Sequence, residues 1–185
     1  MDYKFNSFLI EDKNVFPKSL LDSLEQISFL SCKFSVNWQQ KNIIDAISNS
    51  EMAIKHIDHV VNEILRHRDI KNKMTGWEES SFKSALDSIV GEVVDPASRD
   101  DKDFFEALEA GKGTLPGSNV KKLKLSVALN KLKHRDPKNV NFQITASNSH
   151  FLYIYATGGM GAKDTISKID ISIFCSACDS VIRSV

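Results

Sequence analysis

Residues Trp38 to Arg68, WQQKNIIDAISNSEMAIKHIDHVVNEILRHR, form the longest regular pattern in the chain. Apolar residues recur every three or four positions, which places them on one face of an α-helix. They are Ile43, Ile47, Ile54, Ile57, Val61 and Ile64. No proline interrupts the pattern, and the one segment at which the helix could break is the polar triplet Ser48-Asn49-Ser50. We therefore predict one long helix over 38–68, around which the other elements are organised.

Five shorter segments also show helical spacing of apolar residues. They are residues 17–34, 75–94, 98–111, 120–134 and 173–183. Two of them begin with residues at capping-box spacing, Thr75 with Glu78 and Ser98 with Asp101. The segment over 120–134 ends before Pro137, because proline cannot continue the hydrogen-bonding pattern of a helix.

Other segments alternate with a period of two, which is typical of β-strands. Residues 3–10 show this alternation near the start. Residues 142–146 and 151–155 alternate on either side of Ser147-Asn148-Ser149, which predicts a hairpin. Residues 165–170 are a further short strand. The sequence thus predicts an α+β fold: a mainly helical single domain over 1–185, with five to six helices and a small antiparallel sheet that includes the C-terminal hairpin.

Composition limits the function classes. The 185 residues include 24 basic and 24 acidic side chains, so no overall charge attracts the chain to nucleic acid or lipid. No apolar run is long enough to span a membrane, and the first residues lack the pattern of a secretory signal. Three cysteines do not indicate a disulfide framework. We therefore expect a cytoplasmic protein without membrane partners.

Histidines within the long helical pattern are candidate metal ligands. His56, His59 and Glu63, followed by His67, have spacings that bring side chains together on a helix. At about 100° per residue, however, the group lies opposite the apolar stripe. We interpret it as an exposed polar face, and no metal or other cofactor is expected.

His134-Arg135-Asp136 has the spacing of a protein-kinase catalytic loop, but the glycine-rich loop and the DFG motif are missing. A nucleic-acid-binding or nuclease-like site remains the alternative, in which His134 serves as acid or base beside Arg135 and Asp136. The basic residues that would contact phosphates are Lys121, Lys124, Lys131, Lys133 and Arg135.

Cys175 and Cys178 form a CxxC motif, which is able to carry out disulfide exchange when a helix N-terminus lowers a thiol pKa. There is no second CxxC with which to complete a zinc site. We interpret both cysteines as small residues of a packed helix.

The stretch LNKLKHRDPKNVNF, residues 129–142, together with Phe174-Cys175 and Cys178, resembles uncharacterised bacterial proteins carried on mobile gene cassettes of the integron type. The resemblance implies a bacterial accessory protein and assigns no site residues. Because no motif names a reaction, we favour a non-enzymatic interaction protein over an enzyme. Its partner is expected to be a second copy of the chain or another protein, since a long amphipathic helix favours pairing.

Overall fold

A computed structural model describes residues 16–117, 119–158 and 163–184. Within these residues the chain has the predicted α+β architecture. The helices are α1 Ser19–Gln39, α2 Ile43–Lys71, α3 Ser81–Leu86, α4 Arg99–Glu106, α5 Leu125–Lys133 and α6 Ile171–Arg183. The strands are β1 Ile89–Val94, β2 Val120–Lys124, β3 Arg135–Ile144, β4 His150–Ala156 and β5 Thr165–Asp170. The strand predicted over 3–10 lies outside the described residues.

The long predicted helix corresponds to α2, and it continues through Ser48-Asn49-Ser50 without a break. Its start differs from the prediction, because Trp38 belongs to α1. Lys41 has φ of 61°, a left-handed conformation that ends one helix and lets the chain turn back into the next. As a result α1 and α2 pack against each other as a helical hairpin.

The five strands form one antiparallel sheet in the order β2-β1-β5-β4-β3. The hairpin predicted around Ser147-Asn148-Ser149 is confirmed as β3 and β4, and the strand predicted over 165–170 is confirmed as β5. β5 lies at the centre of the sheet, whereas β2 and β3 are its edges.

The helix predicted over 98–111 is confirmed as α4 but ends early, at Glu106. Two other helix predictions are wrong in part, because strands occupy some of their residues. The helix predicted over 75–94 is the short α3 followed by β1, and the helix predicted over 120–134 begins only at Leu125 because residues 120–124 form β2. β1 is rich in β-branched side chains, which favour strands. Its Gly91 touches the neighbouring strand so closely that a Cβ there would lie 1.9 Å from the Lys168 carbonyl oxygen. In β2 only Leu123 is buried, and lysines occupy exposed positions, as is common for an edge strand.

The two faces of the sheet are covered differently. Most helices pack on one face, where they share the larger apolar core with side chains of the strands. The smaller core on the opposite face contains Phe105 of α4 with Tyr153 and Tyr155 of β4. The loop after α4 also covers this face, because Leu115 packs against the smaller core and a Cβ on Gly113 would lie 2.5 Å from the Tyr153 ring.

Candidate binding cleft

An open cavity of about 660 Å³ lies between the α1–α2 hairpin and the strands β3 and β4. We call it the apolar cleft, since most of its wall consists of apolar side chains. Residues from each side include Phe34, Trp38, Ile47, Ile54, Phe142 and Leu152. Concave, mainly apolar cavities of this size with a few polar groups are typical of small-molecule sites.

Aromatic rings form one wall of the apolar cleft. Phe142 of β3 meets the rings of Phe34 and Trp38 edge-to-face, with centroids 4.7 Å and 4.6 Å apart. Both α1 residues lie on the helix face toward the sheet because they are four positions apart. This geometry is a favourable one for aromatic pairs, so the three rings stabilise one another's positions in the wall.

The opposite wall belongs to the first half of α2, where small residues recur at helical spacing. Ala46, Ser50 and Ala53 all face the cleft, between the larger Ile47 and Ile54. Short side chains on this face leave space that leucine or phenylalanine would fill. The volume of the cleft therefore has an identifiable cause in the sequence of α2.

Arg135 lies at the edge of the apolar cleft and is bound to Asp58 of α2. Its two terminal nitrogens donate to the two carboxylate oxygens at 2.7 Å and 3.0 Å, and Nη1 also donates to the Leu132 carbonyl at 2.7 Å. Such a two-pronged pair fixes the guanidinium in place. The cation therefore joins β3 to α2 and is neutralised by its partner.

His150 is a partly buried titratable group of the cleft. Its Nδ1 shares a hydrogen bond of 2.8 Å with Ser31 Oγ of α1, and its ring stacks on Phe34 with centroids 5.0 Å apart. Burial lowers the pKa of His150 to about 4, although Asp170 opposes this shift. The imidazole is therefore neutral at neutral pH, and it is too weak a base to activate Ser31 as a nucleophile.

A second cavity, of about 510 Å³, adjoins the apolar cleft at Ser31, His150 and Ile171, which line both. We call it the hydroxyl groove, because serines of α1, of the β3–β4 turn and of α6 line it. These are Ser28, Ser31, Ser35, Ser147, Ser149 and Ser172. The side chains of Gln39 and Asn148 also line this groove and are hydrogen-bonded to each other at 3.0 Å.

No known protein family, curated protein or solved structure matches this chain. The chemistry of the cleft must therefore be read from its own residues. An apolar wall with a neutral histidine, a hydroxyl and a paired arginine is suited to binding and orienting a molecule. It has no strongly activated nucleophile or base among the residues that line it.

The residues predicted as metal ligands turn toward α1. His56 Nδ1 lies 3.3 Å from Ser23 Oγ, and His59 Nε2 lies 3.4 Å from Ser19 Oγ. Glu63 accepts a hydrogen bond from Arg66 at 2.7 Å. Across residues 16–117, 119–158 and 163–184, no three His, Cys, Asp or Glu side chains meet as a metal ion requires.

The predicted exposure of this histidine face is wrong for His67, which is buried. The ring of His67 lies against Phe16, with centroids 3.9 Å apart. The reason is that α2 packs against α1 on one side and α5 on another. Two covered sides leave a narrower exposed face than the apolar stripe alone indicates.

The residues predicted for acid-base chemistry have different surroundings from one another. His134 is exposed at the end of α5, while Arg135 is held by Asp58. Asp136 accepts hydrogen bonds from the Lys138 backbone N–H and the Asn139 side chain, both at 2.9 Å. Asp136 thus stabilises the irregular part of β3, where the register with β4 shifts.

The predicted phosphate-contacting residues belong to three elements. Lys121 and Lys124 lie on the edge strand β2, Lys131 and Lys133 on α5, and Arg135 at the start of β3. Lys124 pairs with Asp87 at 3.1 Å. A nucleic-acid interface through these residues stays a prediction.

Cys175 and Cys178 are free thiols in the second and third turns of α6. Both are buried, and burial raises the pKa of each. The thiols are therefore protonated and poorly reactive at neutral pH, in keeping with packing residues.

Of the helices in the described part of the chain, none is both long and apolar enough to cross a membrane.

Proposed function

We propose that the protein is a non-enzymatic binding protein that holds a small apolar molecule in the apolar cleft. The observation that carries this proposal is the exposure of isoleucines at the cleft. Ile47, which lines it, is 54% exposed, and Ile43 beside it is also exposed. Covering such side chains is favourable by about 0.8 kcal/mol for each buried CH₂ group.

The proposal includes an accessory role in the cytoplasm, as the resemblance of residues 129–142 implies. Binding suits such a role because a neutral His150 and a paired Arg135 orient a ligand without reacting with it. A ligand in the cleft would contact α1, α2 and the β3–β4 hairpin together, so it would stabilise their arrangement.

The test uses tryptophan fluorescence. The chain has two tryptophans, and a Trp77→Phe variant leaves Trp38 as the sole donor at the cleft. We expect the uncharged probe N-phenyl-1-naphthylamine to quench Trp38 emission with a saturable curve. Ala53→Leu should weaken this binding because the longer side chain occupies the cleft.

Ala107→Leu is the matched control, since Ala107 is exposed next to α4 and does not line the cleft. This variant should bind the probe as the parent does. The proposal is wrong if the probe gives no saturable signal, or if Ala53→Leu and Ala107→Leu behave alike while both remain folded.

Self-association is a second candidate function, favoured by apolar side chains outside the cleft. Phe29 is 53% exposed and Val36 is 51% exposed on the outer side of α1. They border a shallow depression shared with α2. A second copy covering this surface would bury both side chains. In the α2 stripe, by contrast, Ile57, Val61 and Ile64 are already buried within the chain.

Light scattering across a concentration series tests this candidate. We expect a dimer whose fraction rises with protein concentration, and we expect Phe29→Ser to shift the equilibrium toward monomer. A monomer at every concentration would remove self-association and leave the binding proposal untouched.

A further inference from the structure

The apolar cleft and the hydroxyl groove meet at one hydrogen bond, between Ser31 and His150. A molecule that binds in the cleft and extends past His150 would contact apolar side chains at one end. At its other end it would contact the serine hydroxyls and the Gln39 and Asn148 amides of the hydroxyl groove. Building on the proposed binding function, we infer that the ligand is an uncharged amphiphile. Its apolar part occupies the cleft, and its hydroxyl-bearing head contacts His150 at the entrance of the groove.

Charge at the cleft disfavours an anionic head group. Arg135 is the cationic side chain that lines the cleft, and its two terminal nitrogens already donate to the Asp58 carboxylate. Glu51, on the α2 side of the cleft, adds a negative charge. A carboxylate entering here would lose hydration without gaining an unpaired cation, which is unfavourable.

The charge of Glu51 does not select a cationic head group either. Glu51 is exposed, so an ion pair with it would be screened by water and worth little. Asp170, which lines the hydroxyl groove, already accepts the backbone N–H of Ile173 at 3.0 Å as the cap of α6. Asp170 also lies at the N-terminus of α6, where the positive end of the helix dipole offsets part of its charge, so neither carboxylate is a strong partner for a cation.

The His150 ring has a nitrogen that is suited to hydrogen-bond a hydroxyl of the ligand's head group. Nδ1 is bonded to Ser31, and Nε2 has no hydrogen-bond partner among the described residues. In a neutral imidazole Nε2 is a donor if Nδ1 accepts from Ser31 Oγ, and an acceptor if Nδ1 donates to it. A hydroxyl group can both donate and accept, so it fits either form.

Matched ligands with the same acyl or alkyl chain separate these head groups. Decanoate, decylammonium and 1-monodecanoylglycerol are compared at pH 7.5 for displacement of N-phenyl-1-naphthylamine from the Trp77→Phe protein. We expect the glycerol ester to displace the probe at a concentration at least about tenfold lower than either ion, because only the ions lose charge hydration.

Two variants locate the head group. His150→Phe keeps an aromatic ring against Phe34 but lacks Nε2, so we expect the affinity for the glycerol ester to fall several-fold relative to the affinity for the probe. Asp58→Asn is the control, because Arg135 lies opposite Ala156, roughly 20 Å along β4 from His150, and a head group at His150 does not reach it. We expect this variant to keep the parent's preference among the three ligands.

The outcomes separate this inference from the proposed function. Failure of the probe itself to bind contradicts both. If the probe binds, but decanoate or decylammonium binds as tightly as the glycerol ester or more tightly, the inference alone is contradicted. The same holds for an unchanged affinity for the glycerol ester relative to the probe in His150→Phe, or a several-fold gain of decanoate on the glycerol ester in Asp58→Asn.

Discussion

The two halves of α2 have similar apolar residues and opposite surroundings. In the second half Ile57, Val60 and Ile64 are buried, because α1, α5 and α6 all pack there. In the first half Ile43 is 42% exposed and Ile47 is 54% exposed, and both line the apolar cleft. On that side the helix faces α1 and the apolar cleft. The same helix therefore supplies the core at one end and an unfilled surface at the other.

This difference shows what hydrophobic periodicity does and does not report. Spacing of three and four identifies the apolar face of a helix, but the neighbouring elements decide whether that face is filled. In the first half of α2 the alternation of isoleucines with Ala46, Ser50 and Ala53 leaves part of the face empty. An apolar face of this kind is where a ligand gains most from binding.

The largest effect that tests this comparison comes from the same substitution made in each half. Ile64→Ala should lower the free energy of unfolding by about 2–5 kcal/mol, because it opens a cavity in the core. Ile47→Ala should change it by less than about 0.5 kcal/mol, because the side chain is already hydrated. Urea denaturation of both variants measures the two values. Equal losses would mean that the first half of α2 is packed in solution.

The pH dependence of stability gives the next effect, through His150 at the cleft. Because the folded pKa of about 4 lies below the ordinary value of 6.5, the unfolded chain binds the proton first as pH falls. Stability from this group is therefore complete above pH 6.5 and is lost progressively down to about pH 4. We expect a loss of about 2–3 kcal/mol across this window.

His150→Phe isolates that contribution. The difference in unfolding free energy between this variant and the parent should change by the same amount between pH 7.5 and pH 4, measured in urea at each pH. A difference that stays constant with pH would show that the imidazole is protonated equally in the folded and unfolded chains.

A smaller effect is expected at the boundary between the two halves of α2, where Asp58 binds Arg135. Asp58→Ala leaves the Arg135 side chain, which is 17% exposed, without its carboxylate partner. Asp58 itself is 45% exposed, so solvent screens the pair and the expected loss is about 1–2 kcal/mol. A double-mutant cycle with Arg135→Ala measures the coupling. Additive losses would mean that the pair does not join β3 to α2.

Much of this architecture was accessible from the sequence. The spacing from Ile43 onward predicted α2, and the alternation around Ser147-Asn148-Ser149 predicted the β3–β4 hairpin. The residues of β1 and β2 fitted a helix equally well, because valines and leucines at intervals of three or four also occur in short strands. Gly91 was the available signal against a helix, since glycine is unfavourable inside one.

The candidate site was much less accessible. Ser31 and His150 are far apart in the chain, and neither belongs to a motif, so only the packing of α1 on the hairpin brings them together. The sequence predicts Arg135 as a nucleic-acid contact, whereas in the structure Arg135 binds Asp58 of α2. Ala46, Ser50 and Ala53 have a helical spacing in the sequence, but whether small residues on a helix line a cleft depends on which element faces them.

The smallest effect concerns the hydrogen bond that separates the cleft from the hydroxyl groove. Ser31→Ala removes a bond between α1 and β4, so we expect a loss of about 0.5–1.5 kcal/mol in urea denaturation. Ser35→Ala is the matched control on the same helix, because Ser35 donates to the Ser31 carbonyl of its own helix. Its removal should change stability by less than about 0.5 kcal/mol. If Ser35→Ala costs as much as Ser31→Ala, the hydrogen bond between Ser31 and His150 contributes nothing to the packing of the hairpin on α1.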